Sequence, residues 1–354
     1  MRIASPRTLG LAITLLLVGT FAAARPESGY HLLKTYPFGA APGSTSEYFD
    51  YVTVDAAARR VYLSRGTAVQ VIDADSGALV GYVTGFKRQH GVALAPEFNR
   101  GFITDGTGAQ VTIFDMKSLQ VVGTAKSDPD TDGIVYDSVS KRVFTMNGDS
   151  NSSTVLDAAT GSVIKTIALG GAPEFAVADG KGMIYANLAD KNQVAEIDAR
   201  TMEVKSRWPT APSGGSTALA IDREHRRLFS AGRNPQVLVV MDADTGKVVQ
   251  SFPITSGTDA AAYDPETQLI FVSTREGNIH IFHEDSPDQF SVVDTVKTQY
   301  GAKTMGLDTK THNLFLDTAD FAPAPASASG RGGRQPVPGS FHVLVYGRDL
   351  VYDR

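Results

Sequence analysis

Seven residues carry the strongest chemical signal in this chain: Asp50, His90, Asp132, Glu174, Thr217, Asp259 and Thr304, each just ahead of a short apolar run. Four are carboxylates and one is a histidine. Like charges brought to one place repel unless something compensates. Three chemistries fit such a set. A divalent cation could be held by carboxylate oxygens and imidazole nitrogen. A positively charged or hydroxyl-rich small molecule could dock against it. His90 and a neighbouring carboxylate could act as general base and orienter. The plainest alternative is a wet polar funnel with no ligand, in which the carboxylates cap strand ends and bind water. Lys303 and Tyr48 stand beside this register.

Residues so far apart meet only if the chain returns to one place once per unit, and it does repeat. Asp73, Asp115, Asp157, Asp198 and Asp242 close similar runs, separated by 42, 42, 41 and 44 residues. A sixth unit carries "IHIFH" at 279–283 and a delayed seventh "HVLVY" at 342–346. In phase with them run "VYL" (61–63), "GFI" (101–103), "VFT" (143–145), "IYA" (184–186), "LFS" (228–230), "IFV" (270–272) and "LFL" (314–316). A small apolar run precedes each of these, and a more polar run follows the acidic turn. Short runs rich in Val, Ile and aromatics, bounded by Gly, Asp, Asn or Pro, read as strands. Four strands per unit of roughly 40 residues is the pattern of a propeller blade.

The turn itself, "DADTG" at 242–246, resembles the opening of a calcium loop. Its copies read "DAATG", "DARTM" and "DMKSL", so the second carboxylate disappears while the spacing persists. Asp and Ser/Thr side chains bond nearby backbone and Gly accepts positive φ, so the motif reads as a hairpin corner.

The sequence therefore predicts an all-β, seven-bladed propeller of four-stranded blades in one domain, 30–354. Only six outer strands follow a third strand, and "HLLKTYPFG" (31–39) matches "SVIKTIALG" (162–170). The N-terminal strand should complete the last blade, closing the ring without a raw edge. First strands rich in Ala, Gly and Val should line the crowded axis. The outer strands should be the polar ones, as Lys165, Lys205, Arg207, Lys247 and Gln250 suggest.

Units such as "HGVALAPEFNRGFITDGTGAQVTIFDMKSLQVVGT" (90–124) resemble the YVTN-type, YncE-like β-propeller repeat of exported bacterial proteins. The shared features are the H-G before the first strand, V-A-L-x-P, the aromatic second strand and D-x-x-[ST]-x before the fourth. The resemblance covers about 30–354 and implies a fold rather than an activity, and it makes the H-G at 90–91 part of the repeat pattern. The G-H and W-D dipeptides of WD40 repeats are absent.

Composition and the ends limit the setting. The 354 residues carry a formal charge of -5 and no cysteine. A sequence pI near 5.8 gives no basic field for nucleic acid. Arg2 and Arg7, the apolar "LGLAITLLLVG" (9–19) and Ala22 and Ala24 read as a signal peptide, 1–24, cleaved after Ala24. The mature protein is expected in the periplasm or secreted, as a monomer without stable membrane insertion.

His225, His280, His283 and His312 read as structural or solvated, and no G-x-S-x-G, H-E-x-x-H or P-loop occurs. One segment breaks the repeat. "FAPAPASASGRGGRQPVPGS" (321–340) cannot bury enough apolar surface to fold alone, and reads as a disordered insertion in the last blade. The alternative is a flexible lid or partner hook whose Arg331 and Arg334 meet the acidic mouth or an anionic ligand. The sequence favours an exported binding or scaffold protein acting through that face, on a protein or small-molecule partner. The alternative is a propeller hydrolase or lyase, lactonase-like, using a metal or histidine at the mouth. A divalent cation is the one cofactor the residue set suggests.

Overall fold

In the computed structural model, residues 28–323 and 334–349, together with Met1, are described. Apart from Met1, the segment read above as a signal peptide lies outside the described residues, as does the centre of the insertion, including Arg331.

Seven four-stranded antiparallel sheets form a ring. Blade 1 runs Val52–Asp55, Arg60–Ser64, Ala68–Asp73 and Leu79–Thr84. Blades 2 to 6 begin at Gln89–Ala95, Thr131–Asp137, Pro173–Ala178, Ser216–Asp222 and Thr258–Asp264, and each continues outward through three further strands. Blade 7 joins Met305–Asp308, Asn313–Thr318 and His342–Gly347 to the N-terminal strand His31–Pro37. The chain ends thus close the ring, as the match between 31–39 and 162–170 requires. Each first strand touches the first strand of its neighbours around the axis.

The core is divided rather than central. Among the described residues, seven apolar clusters lie one at each junction between blades. At the junction of blades 1 and 2, for example, Tyr62, Val69 and Val71 meet Val92, Ile103 and Phe114. Aromatic second strands supply the bulk because facing blades diverge away from the axis. No single core has to grow with chain length.

The acidic corners are turns. Asp242 Oδ1 accepts the backbone N–H of Asp244 at 3.1 Å and of Thr245 at 2.8 Å, and the Thr245 hydroxyl at 2.8 Å. Asp73, Asp115, Asp157 and Asp198 each accept the same backbone N–H three residues on.

Two expectations change. The outer strands of blades 1 to 3 open with exposed aliphatic pairs, Leu79–Val80, Val121–Val122 and Val163–Ile164, so polarity is not general there. The insertion is folded at both flanks. Phe321 bridges Pro336, and its ring lies 5.0 Å from Tyr300 and 6.4 Å from Phe49. These aromatic contacts anchor the flanks on the propeller, which composition alone does not reveal.

Candidate functional site

All seven strand-entry residues line one cavity of about 540 Å³ at the end of the central channel. The sequence places them ahead of the first strands. The structure sets five of them, His90, Asp132, Glu174, Thr217 and Asp259, at the second position inside a first strand. In each of those five blades the register between first and second strands slips at that residue. A bulge re-aims a side chain out of the sheet alternation, and here it happens in five of the seven blades. Gly91 and Gly133 follow two of the bulges because the next blade passes too close for a side chain. A Cβ on Gly133 would lie 2.8 Å from the Glu174 carbonyl, and one on Gly91 3.1 Å from that of Asp132.

The cavity floor is centred on His90. Its ring is buried, and Nδ1 faces Asp50 Oδ2 at 2.8 Å, the Tyr48 hydroxyl at 3.0 Å and Asp132 Oδ1 at 3.2 Å. One N–H cannot serve three oxygens, and Asp132 Oδ1 is left without a hydrogen bond. Lys303 Nζ sits 3.1 Å from Asp50 Oδ1 and also pairs with Asp259, which in turn pairs with Arg233. The two threonines serve the frame. Thr217 donates to the Thr258 carbonyl at 2.9 Å, and Thr304 to the buried Asp317 at 2.7 Å.

These surroundings split the carboxyls into two groups. Burial works against ionising Asp50, but Lys303 and His90 outweigh it and hold that carboxyl well below the usual range. Among the described residues, the cation paired with Asp132 is His90 alone. Burial and the charge on Asp50 push it up to about 7. Burial and Asp132 push Glu174 up to about 8. For His90, burial opposes protonation, yet the bond to Asp50 and the charge of Asp132 raise it overall. The floor therefore holds one firmly ionised carboxylate beside two that keep protons near neutral pH, as like charges in one desolvated place require.

Arg334 of the insertion lines the cavity, as the sequence reading placed it, but the register misses the rest of the rim. Arg88, Arg233 and Arg275 also line it, so the mouth is amphoteric rather than acidic. Among the described residues Arg275 is exposed and makes no ion pair. Arg334, from the insertion, stacks over Tyr300 at 4.7 Å. A signal for two of them was present. Arg233 and Arg275 stand directly after second strands, in phase with each other and with Arg65, on the second-to-third loops of this face. Tyr51 and Phe175, stacked with ring centroids 5.1 Å apart, add an aromatic wall.

Asp50, His90 and Asp132 present donor atoms within 4.8 Å of one another, a spacing that a metal ion could bridge. The other histidines lie elsewhere. His280 Nε2 accepts the Thr255 N–H at 3.0 Å, and burial lowers its pKa to about 4. His312 Nδ1 lies 2.7 Å from Asp264 of the preceding blade. His283 pairs with Asp285 at 2.8 Å. His225, away from the mouth, meets two buried carboxyls, Asp222 and Glu284.

No protein-family model matches the chain, and no curated protein matches it. Solved structures do match in shape. The WD40 repeats of RRP9 superpose with a TM-score of 0.72 at 10% identity, covering 92% of this chain and 99% of that one. U3-55K gives 0.70 at 10% identity, covering 91% and 99%. Hydrazine synthase of Kuenenia stuttgartiensis gives 0.66 at 14% identity, covering 78% and 96%. These likenesses establish the propeller, an architecture that commonly serves binding and scaffolding. At such identities they carry no activity across.

Proposed function

We propose that this protein is an exported propeller of the YVTN, YncE-like type that binds a small polar ligand across its channel mouth. The ligand's cationic group, or a divalent cation accompanying it, would sit on the carboxylate floor. Its anionic group would meet Arg275 and Arg334 at the rim. One observation carries this reading: residues from all seven blades converge on one cavity whose carboxylates face rim arginines, two of which, Arg275 and Arg334, have no carboxylate partner among the described residues. The 540 Å³ volume suits a small molecule. The export part rests on the 1–24 leader pattern alone.

The test is a thermal-shift screen of the chain from residue 25 against amino acids, polyamines, dicarboxylates and phosphate esters, with and without Mn²⁺. A ligand bearing both charges should stabilise the wild type, and Glu174→Ala and Arg275→Ala should each remove the effect. Stabilisation by simple anions alone, unchanged in Glu174→Ala, would count against the reading.

The hydrolase or lyase reading is favoured by one specific feature, the Asp50–His90–Asp132 donor set. Metal that is lost in Asp132→Ala, together with turnover lost in both Asp132→Ala and Glu174→Ala, would replace binding with catalysis.

A further inference from the structure

On the face away from the mouth, the Asp closing a first strand caps the turn that follows. Asp137, Asp222, Asp264 and Asp308 each accept a backbone N–H or hydroxyl from that turn. Three such buried aspartates also receive a cation from the next blade. Arg226 meets Asp179 at 2.8 Å, His312 meets Asp264 at 2.7 Å, and Arg59 meets Asp308 at 2.6 Å. The three donors occupy one repeated corner with positive φ, 58°, 60° and 56°. In blade 6 that corner holds Gln268, also at φ 56°, whose side chain carries no charge. Among the described residues Asp222, like the buried Asp137, receives no cation from the next blade.

A second carboxyl makes the deficit larger. Glu284, in the third strand of blade 6 (Asn278–Ser286), is fully buried beside Asp222. Neither of its oxygens receives a hydrogen bond of good geometry, although the Tyr263 hydroxyl faces it. His225 Nδ1 stands 2.8 Å from Asp222 Oδ2 and 3.1 Å from Glu284 Oε1, also without a well-formed hydrogen bond. One imidazolium proton lies along only one of those directions. All three donor atoms fall within 4.8 Å of one another. The His225 side chain is 29% exposed, so the cluster is reachable from solvent.

We propose that Asp222, His225 and Glu284 form a site for a divalent transition cation, with Zn²⁺ the best match, that replaces the missing inter-blade cation and ties blade 5 to blade 6. One imidazole nitrogen with two carboxylate oxygens suits zinc and its neighbours better than calcium or magnesium, which prefer all-oxygen shells. Burial and the charge of Asp222 raise the Glu284 carboxyl, so a proton is the ion's natural competitor. The site is independent of the channel mouth and of what binds there.

The experiment is calorimetric titration of the EDTA-stripped chain from residue 25 with ZnCl₂, with thermal unfolding of each sample. The variants are Glu284→Gln, His225→Asn and, for the mouth, Asp132→Asn. One zinc equivalent should persist in Asp132→Asn and disappear in both Glu284→Gln and His225→Asn. Zinc should raise the melting temperature of wild type and Asp132→Asn only, because an ion bound to the folded state stabilises it by mass action. Glu284→Gln preserves size and polarity, and His225→Asn touches a partly exposed position, so a folding failure in one leaves the other to decide. Zinc binding unchanged in both variants overturns the proposal. So does a wild type that takes up no zinc outside the mouth, which would leave a shared proton between Glu284 and Asp222.

Discussion

Replacing Glu174 by Gln should flatten the pH dependence of folding stability. The carboxyl lies at the mouth near Asp132, Asp259 and Asp50, with Arg233 as its nearby countercharge. Burial first, and those charges second, bring it up to about 8. A carboxyl raised in the folded state holds its proton more tightly there than in the unfolded chain. Its contribution is therefore complete below about pH 4.5 and is lost as pH climbs to about 8. A displacement of that size has a ceiling of about 5 kcal/mol. Partial exposure of the group reduces this to about 1–3 kcal/mol through solvent screening. Urea unfolding of wild type and Glu174→Gln at about pH 5, 6.5 and 8 measures it. Near pH 5 the two should agree within about 1 kcal/mol, since both side chains are then neutral. Toward pH 8 the wild type should lose about 1–3 kcal/mol more than the variant. Asp132, raised to about 7 by burial and by the charge of Asp50, owes that rise to groups present in both proteins and cancels to first order. Parallel profiles, or a wild type that gains on the variant with rising pH, would refute the reasoning.

Three further outcomes follow from the frame. Gly246 sits at φ +71°, and a Cβ there would lie 1.9 Å from Trp208; Gly246→Ala should cost about 2–4 kcal/mol and red-shift the emission of the only tryptophan. Glu47 is the carboxylate partner of the buried Arg65, whose guanidinium stacks 3.5 Å from the Phe341 ring centre. Glu47→Ala should lower stability by about 3–5 kcal/mol in urea melts, because it strands a buried charge. Removing residues 28–37 strips the last blade of its outer strand and bares the edge of His342–Gly347; size-exclusion chromatography should show association where the full chain elutes as one species.

The repeat carried most of the fold. A recurring Asp turn sets where each hairpin closes, and strands of six residues or so can only alternate between corners, so blade number, strand order and ring closure were legible from spacing. The same spacing placed Asp50, His90, Asp132, Glu174, Thr217, Asp259 and Thr304 around one channel, because equivalent positions in a closed ring converge on its axis. Spacing carries no information on direction. The bulges at His90, Asp132, Glu174, Thr217 and Asp259 turn those side chains toward the cavity, and they arise where adjacent first strands crowd together. Nor does spacing give charge balance. Lys303 and Arg233 reach Asp259 from different blades, and Arg334 arrives on an insertion outside the repeat. Why Asp50 stays ionised while Glu174 keeps its proton depends on which carboxylate those cations reach, a matter of a few ångströms. The pairing of Glu284 with Asp222 is of the same kind. Its two members lie in different blades and outside any shared motif, and only packing brings them together.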